Sequence, residues 1–298
     1  MRYPLPPLLA LMLATLPVAA SAQQKVDIRA RAIPAVSVRL GGAIGGVKVI
    51  GWDRDSIALT GALAPGSRMD GGPIRNNNDL VVGMKFFVNA VDESAVLGNK
   101  LELRVPAQAR VWIKAGSAEV DASGVTGGLD LNIVGGSVTV RGAPRELIIE
   151  AMDGKVTVNA TPEYARLKTA TGDIVMQGGG EDVSASTVSG SIRAADGTFQ
   201  RGRFESVTGP IVFAGDFTRG GEARFDSHSG AIELRLGRNA PVEIDAASVT
   251  GSIENGWTKT RPAVGREGRG MELGISSGMG AAHVSIRSFK GNVRLSAK

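Results

Sequence analysis

Cysteine is absent from the 298 residues, histidine occurs only twice, and aromatic residues make up 4% of the chain. Without cysteine there are no disulfides, no thiolate nucleophile, no thiolate metal site and no lipid-bearing cysteine. Two histidines exclude a metal centre that needs several imidazoles. Scarce aromatics beside 41 glycines argue against a bulky globular core and for many short strands closed by tight turns. Charge lacks direction as well: a net +5, with no Lys/Arg cluster and few aromatics between the charges, is no nucleic-acid-binding surface.

One long apolar run is present, Leu5 to Ala20, preceded by Arg2 and followed by the small-residue site Ala20-Ser21-Ala22. It carries three prolines and falls short of the ~18 residues a spanning helix requires. It reads as a secretory signal, cleaved to leave Gln23 first. The expectation is an exported chain, periplasmic, cell-surface or secreted, with no transmembrane segment after cleavage.

The rest follows one rhythm. Thr169-x-Thr171-Gly172-x-Ile174 recurs as Thr187-x-Ser189-Gly190-x-Ile192, Ser206-x-Thr208-Gly209-x-Ile211, Ser227-x-Ser229-Gly230-x-Ile232 and Ser248-x-Thr250-Gly251-x-Ile253, with looser copies at Gly116, Gly136, Gly154 and Gly291. From Gly116 to Gly251 the glycine spacings are 20, 18, 18, 18, 19, 21 and 21 residues, the signature of a stacked repeat. Aligned on these glycines, the positions seven and five before and two and four after are apolar, as at Leu129, Leu131, Val138 and Val140, and the first copy contributes Ala109, Val111, Ala118 and Val120. Each repeat therefore holds two strands of period two, hinged at a glycine that either takes φ > 0 or admits a close neighbouring turn. Hydroxyls three before the glycine, at Thr169, Thr187, Ser206, Ser227, Ser248 and Ser288, can bond along the stack or to the turn backbone.

The fold this predicts is all-β, a right-handed parallel β-solenoid (β-helix) of about nine coils with 18–21-residue repeats. A left-handed hexapeptide helix does not fit the apolar steps of two, seven and nine. In chain order the reading is a leader over 1–22, an N-terminal β capping region over 23–107 with a solvent loop from Gly61 to Asn78, the regular solenoid over 108–256, a loop insertion with a short strand over 257–282, and a terminal coil over 283–298.

Gly46-Val47-Lys48-Val49-Ile50-Gly51-Trp52-Asp53, then Leu101-Glu102-Leu103-Arg104-Val105-Pro106, then the successive [ST]-x-[ST]-G-x-I copies resemble, in that order, exported bacterial "putative adhesin" domains of unknown function built of β-strand repeats. The likeness spans residues 33 to 298. It implies an envelope or surface location and adhesion, and it transfers no catalytic or binding residue. The long loop after Trp257 and the missing hydroxyls at Gly116, Gly136 and Gly154 depart from the pattern.

Candidate chemistry is sparse. On the outward columns, Glu205 with Asp226 and Glu233 with Glu254 would form close carboxylate pairs, as polysaccharide lyases and hydrolases require. Arg203 and Arg224 beside them and the lack of a third polar group favour a plain solvated face. His228 takes the slot of Val188, Val207 and Val249, and His283 has no ligand partner at metal spacing. Gly265-x-x-Gly268-x-Gly270 lacks the strand and helix of a phosphate cradle, while Arg261, Arg266 and Arg269 offer contacts to anionic polysaccharide or lipid headgroups. Trp52, Trp112 and Trp257 are candidate sugar platforms, Trp112 first because it lies in an outward column, with burial under the N-terminal segment as the competing expectation. No residue is assigned a catalytic, cofactor or metal role. The reading is a non-catalytic exported β-repeat protein, an adhesin or envelope scaffold whose partner is an envelope polysaccharide or another envelope protein. The alternatives are a carbohydrate-active enzyme on a β-helix and a protein-binding accessory of the envelope stress response.

Overall fold

The computed structural model describes residues 24–42, 45–65, 67–70, 73–76, 79–88, 98–265 and 268–298. The expected leader, Asn77, Asn78 and Arg266 lie outside them. No helix occurs among the described residues, and every strand joins one continuous hydrogen-bonded sheet, mostly parallel. Two in-register ladders make up its body. One carries 110–115, 128–133, 146–151, 164–169, 182–187, 201–206 and 222–227; the other carries 118–123, 137–142, 155–160, 174–177, 192–195, 211–214 and 232–234. The long strands Arg110–Ser123, Gly128–Gly142, Ile192–Ser206 and Ile211–Ser227 contribute to both.

The period-two pattern explains the burial. Leu129, Leu147, Ala165 and Val183 stack over one another inside, as do Val138, Val156, Ile174 and Ile192, all essentially without exposure. Each such aliphatic contributes roughly 1.5–3 kcal/mol by leaving water. The first copy is the exception to the glycine alignment. Leu129 pairs with Val111 rather than Ala109, and Gly136 with Ala118 rather than Gly116, so the apparent 20-residue step is one of 18. Where the repeat lengthens, bulges at 195–201 bring Phe199 inward to join Phe204, Phe213 and Phe225, with ring centroids 5.1–5.8 Å apart. Gly202 replaces the usual aliphatic there because a Cβ would sit 2.9 Å from the Phe204 ring.

The turn glycines resolve in favour of close approach. Gly172, Gly190, Gly209 and Gly230 do not have positive φ; a Cβ on any of them would run into the carbonyl oxygen of the glycine one rung away, Gly154, Gly172, Gly190 and Gly209 in turn. The hydroxyl beside each glycine is buried, and three of the four tie their turns: Thr169 donates to the Gly172 carbonyl (2.6 Å), the Gly190 amide donates to Thr187 (3.1 Å), and Ser227 donates to the Gly230 carbonyl (2.8 Å), while Ser206 beside Gly209 makes no hydrogen bond.

Both ends of the stack depart from chain order. Ser37–Gly42 and Gly45–Trp52 lie between the Arg110–Ser123 strand on one side and Asp79–Val88 and Lys100–Pro106 on the other. At the far end, Ala282–Ser288 and Val293–Ala297 are inserted between 222–236 and 242–255. Antiparallel strands close the edges, Ser56–Leu63 and Gln24–Arg31 at one end, Met271–Ser277 and Ala263–Val264 at the other, which covers backbone that would otherwise stand unpaired. Within the expected loop from Gly61 to Asn78, the described stretches Ser67–Asp70 and Pro73–Asn76 are strands instead, paired antiparallel with Asp79–Val88.

Two outcomes check this account. Gly190→Ala should lower stability by about 1–3 kcal/mol through overpacking against backbone that cannot yield, whereas Gly116→Ala, whose Cβ meets nothing within 4 Å, should melt like the parent. Removing residues 282–298 should loosen all of 242–277, because it takes out an inner rung; limited proteolysis should then cut throughout that segment, and continued resistance there would contradict the interleaved order.

Candidate functional site

On the first ladder the outward residues form columns whose neighbours stand about 4.8 Å apart. The middle column runs Arg39, Trp112, Asp130, Ile148, Arg166, Ser184, Arg203, Arg224, Ser285, Asp245. At its head lies a groove of about 540 Å³ around Trp112, bordered by Arg39, Arg110, Asp130 and Glu146. Gly128 leaves room for it, since a side chain there would begin against the Arg110 stem. Burial, reinforced by Glu150 and Glu146, raises the Asp130 pKa above the ordinary aspartate value. The N-terminal strand lies beside Trp112 rather than over it, with Arg39 as its register partner, so the half-buried indole borders the groove. An apolar ring face flanked by carboxylates and a guanidinium can stack on and hydrogen-bond a sugar ring.

Further along the face is a wider groove of about 700 Å³, lined by Arg166, Arg203, Arg224, Glu222, Glu243 and His283 among others. Three of its four arginines are matched in place, Arg201 to Asp182 at 3.1 Å, Arg203 to Glu205 at 3.3 Å and Arg224 to Asp226 at 2.5 Å, and the lining as a whole carries as many carboxylates as guanidiniums. His283 Nδ1 lies 2.9 Å from Glu243. The face is therefore close to neutral, and exposed pairs of this kind contribute little stability.

The two expected carboxylate pairs fare differently. Glu205 and Asp226 are register partners on neighbouring strands, each held by the arginine two residues before it. Glu233 and Glu254 are not neighbours, because the inserted Val293–Ala297 strand places Arg294 between them. Arg294 bonds Glu254 at 2.9 Å, and the hydrogen bond from Arg235, aided by the charges of Arg235 and Arg294, lowers the Glu233 pKa below the usual glutamate value. A carboxylate so stabilised is a poor proton donor.

The other tryptophans are engaged. Trp52 donates its indole N–H to the Ser56 carbonyl (2.8 Å) and carries Arg54 and Arg104 over its ring; Trp257 donates to Gly237 (3.0 Å) and packs on the core. His228 stacks on Phe289, ring centroids 5.1 Å apart. The Gly265 amide donates to the Gly270 carbonyl, and the Gly268 amide to the Gly265 carbonyl. Among the described residues no three His, Asp or Glu side chains group as a metal site would.

No family model matches the sequence, and no curated protein matches it. Two solved structures overlap it loosely. One, a "putative cell adhesion protein" from Clostridium sporogenes, is 9% identical over 92% of this chain and 100% of that one, with a TM-score of 0.23. The other, a "putative adhesin" from Bacteroides fragilis, is 11% identical over 92% and 98%, with a TM-score of 0.31. Overlaps this loose assign neither a fold nor an activity.

Arg39, Asp130, Gly128 and Glu146 escaped sequence reasoning because the first copy, aligned on Gly116, was two residues out of register. Aligning Trp112 on Asp130 would have exposed the groove. For Glu233 the sign of the pH effect follows from its lowered pKa. Its contribution is present above the unfolded value near 4.5 and is lost as pH falls through the lower folded value. Glu233→Gln should therefore cost at most ~1 kcal/mol at neutral pH, with the gap to the parent closing in acid, as urea melts at several pH values would record.

Proposed function

We propose that the protein is an exported, non-catalytic binding element of the cell envelope, adhesin-like, that holds an extended polysaccharide along its outward columns. The architecture we propose for it is a right-handed parallel β-solenoid. Matching residues one rung apart at 18–21-residue spacing support it, as does the right-handed rule for parallel crossovers. The leader-like residues 1–22 support export.

The observation that carries the function is the Trp112 groove. It combines a stacking surface with ionisable and hydrogen-bonding groups at a fixed interval, and the same interval continues into the neutral arginine-carboxylate groove beyond. A near-neutral comb of this kind recognises by stacking and hydrogen bonding more than by long-range charge steering. The reading favours neutral or mixed-charge glycans over strongly anionic ones.

Calorimetry against cell-wall and capsular polysaccharides should find a ligand whose affinity falls about tenfold or more (~1.4 kcal/mol,) with Trp112→Ala while the thermal melt stays unchanged. Equal binding by that variant would remove the groove from the account. Release of reducing ends or unsaturated products, abolished by Glu205→Gln or Asp226→Asn, would replace the binding reading with the carbohydrate-active one.

A further inference from the structure

The residue two before the repeat glycine is apolar in most rungs and, except for the half-buried Ala170, exposed. Val134, Met152, Val188, Val207, Phe289 and Val249 are 44–62% exposed; Ala170 and His228 fill the two remaining rungs. Hydrogen bonds join them in spatial order. The Met152 amide bonds the Val134 carbonyl, Ala170 bonds Met152, Val188 bonds Ala170, Thr208 bonds Val188, Ser229 bonds Val207, Lys290 bonds His228 and Thr250 bonds Phe289. The insertion of the last strands thus places Phe289 between His228 and Val249, and eight rungs form one ridge roughly 34 Å long. Contiguous apolar surface of this kind marks an interaction site.

Charges on the two flanks select its occupant. On one flank the rungs of Met152, Ala170, Val207, His228 and Phe289 carry Glu150, Lys168, Glu205, Asp226 and Arg287, of which Glu205, Asp226 and Arg287 also pair within the chain with Arg203, Arg224 and Asp245; on the other, the rungs of Met152 and Phe289 carry Asp153 and Lys290, and Glu205 would face the uncharged Ser186 of the Val188 rung. Laid against a second copy of itself in the opposite direction, about a two-fold axis between Val188 and Val207, the ridge brings rung two to rung seven and rung three to rung six. Glu150 then meets Arg287, Lys168 meets Asp226 and Asp153 meets Lys290, with no like charges opposed. Met152 faces Phe289, and the small Ala170 faces His228. The same ridge laid parallel would oppose Glu150 to Asp153 and Arg287 to Lys290, which is repulsive.

We infer that this ridge is a self-association surface on which two copies pair antiparallel. The pairing is isologous and therefore closes at two. A strip about 12 Å wide and that long buries on the order of 400 Å² per partner, about half of a standard interface, so the dimer is weak and forms only at high concentration. The grooves lie on the neighbouring face and stay open, so a pair would present two binding faces.

The absence of cysteine makes the test clean. Under mild oxidation, a mixture of full-length Met152→Cys and Phe289→Cys chains should give a disulfide-linked heterodimer at least ~5-fold above either chain alone, because Met152 is roughly 24 Å from its own copy in the antiparallel pair. Sedimentation at about 1 mM should show dimer for the parent and monomer for Val207→Asp, whose circular-dichroism melt should match the parent's because the site is exposed. Met152→Cys linking to itself as readily as to Phe289→Cys, no excess of the mixed product, or a parent monomeric throughout would each overturn the proposal. Glycan binding by a monomeric parent would leave the proposed function standing without it.

Discussion

The closest constraint in this molecule is at the turn, where glycine follows glycine down the stack. Parallel ladders fix neighbouring strands about 4.8 Å apart, and a chain reversing at every rung must bring its turns to that same separation. At Gly172, Gly190, Gly209 and Gly230 the carbonyl of one glycine occupies the place where the next would carry its Cβ. The requirement is one of space, not of backbone conformation, since none of the four takes a positive φ. The buried hydroxyls follow from it. A turn that tight leaves an amide or carbonyl pointing inward, and Thr187, Ser227, Ser248 and Ser288 satisfy it, which avoids the ~1–3 kcal/mol cost of an unpaired buried polar group.

In-register stacking imposes a second condition. Like sits over like, which helps aliphatics and harms charges. The outer columns mostly break up runs of one sign, as in the row Glu233, Arg294, Glu254. Arg203 beside Arg224 and Glu205 beside Asp226 are exceptions, and the two pairs offset each other along their strands. What makes those carboxylates look like a catalytic pair in the sequence is thus accounted for by the need to offset two stacked guanidiniums. The Trp112 groove is where the pattern changes. Gly128 and Ile148 interrupt the charges, and the strand beside it, Ser37–Gly42, arrives from far away in sequence.

Much of the middle was legible from residues alone. The apolar columns from Leu129 onward, the hydroxyl-glycine turns and the outward Glu205/Asp226 row follow from spacing, because each repeat stacks on the one before it. Spacing does not say which repeat is neighbour to which once chain order fails. The motif at Ser288–Gly291 is a looser copy of that at Ser248–Gly251, yet the first lies inside the second. Hydrogen bonds between residues some forty positions apart, such as the Thr250 hydroxyl on the Phe289 carbonyl, decide the order. Composition misled over Gly61 to Asn78, where glycine and asparagine suggest solvent loop but register with Asp79–Val88 makes strands of Ser67–Asp70 and Pro73–Asn76. At the N-terminal side of the stack Gly116 imitated a turn glycine. Its open surroundings show that it is none.

Interleaving the ends changes what the stack is energetically. In a linear array each repeat touches only the next, stability is nearly a sum over neighbours, and terminal units fray independently. Here Ala282–Ser288 and Val293–Ala297 supply both faces of an inner rung, so the 242–255 strands outside them gain their partner only once these later residues are in place. Fraying from that end must break long-range pairings of the 242–255 and 282–297 strands together, which couples the edge to the interior. The antiparallel Met271–Ser277 strand then caps an edge that is itself held in place by the C-terminus. In a chain without cysteine, the outward columns of these ladders thus gain rigidity from topology.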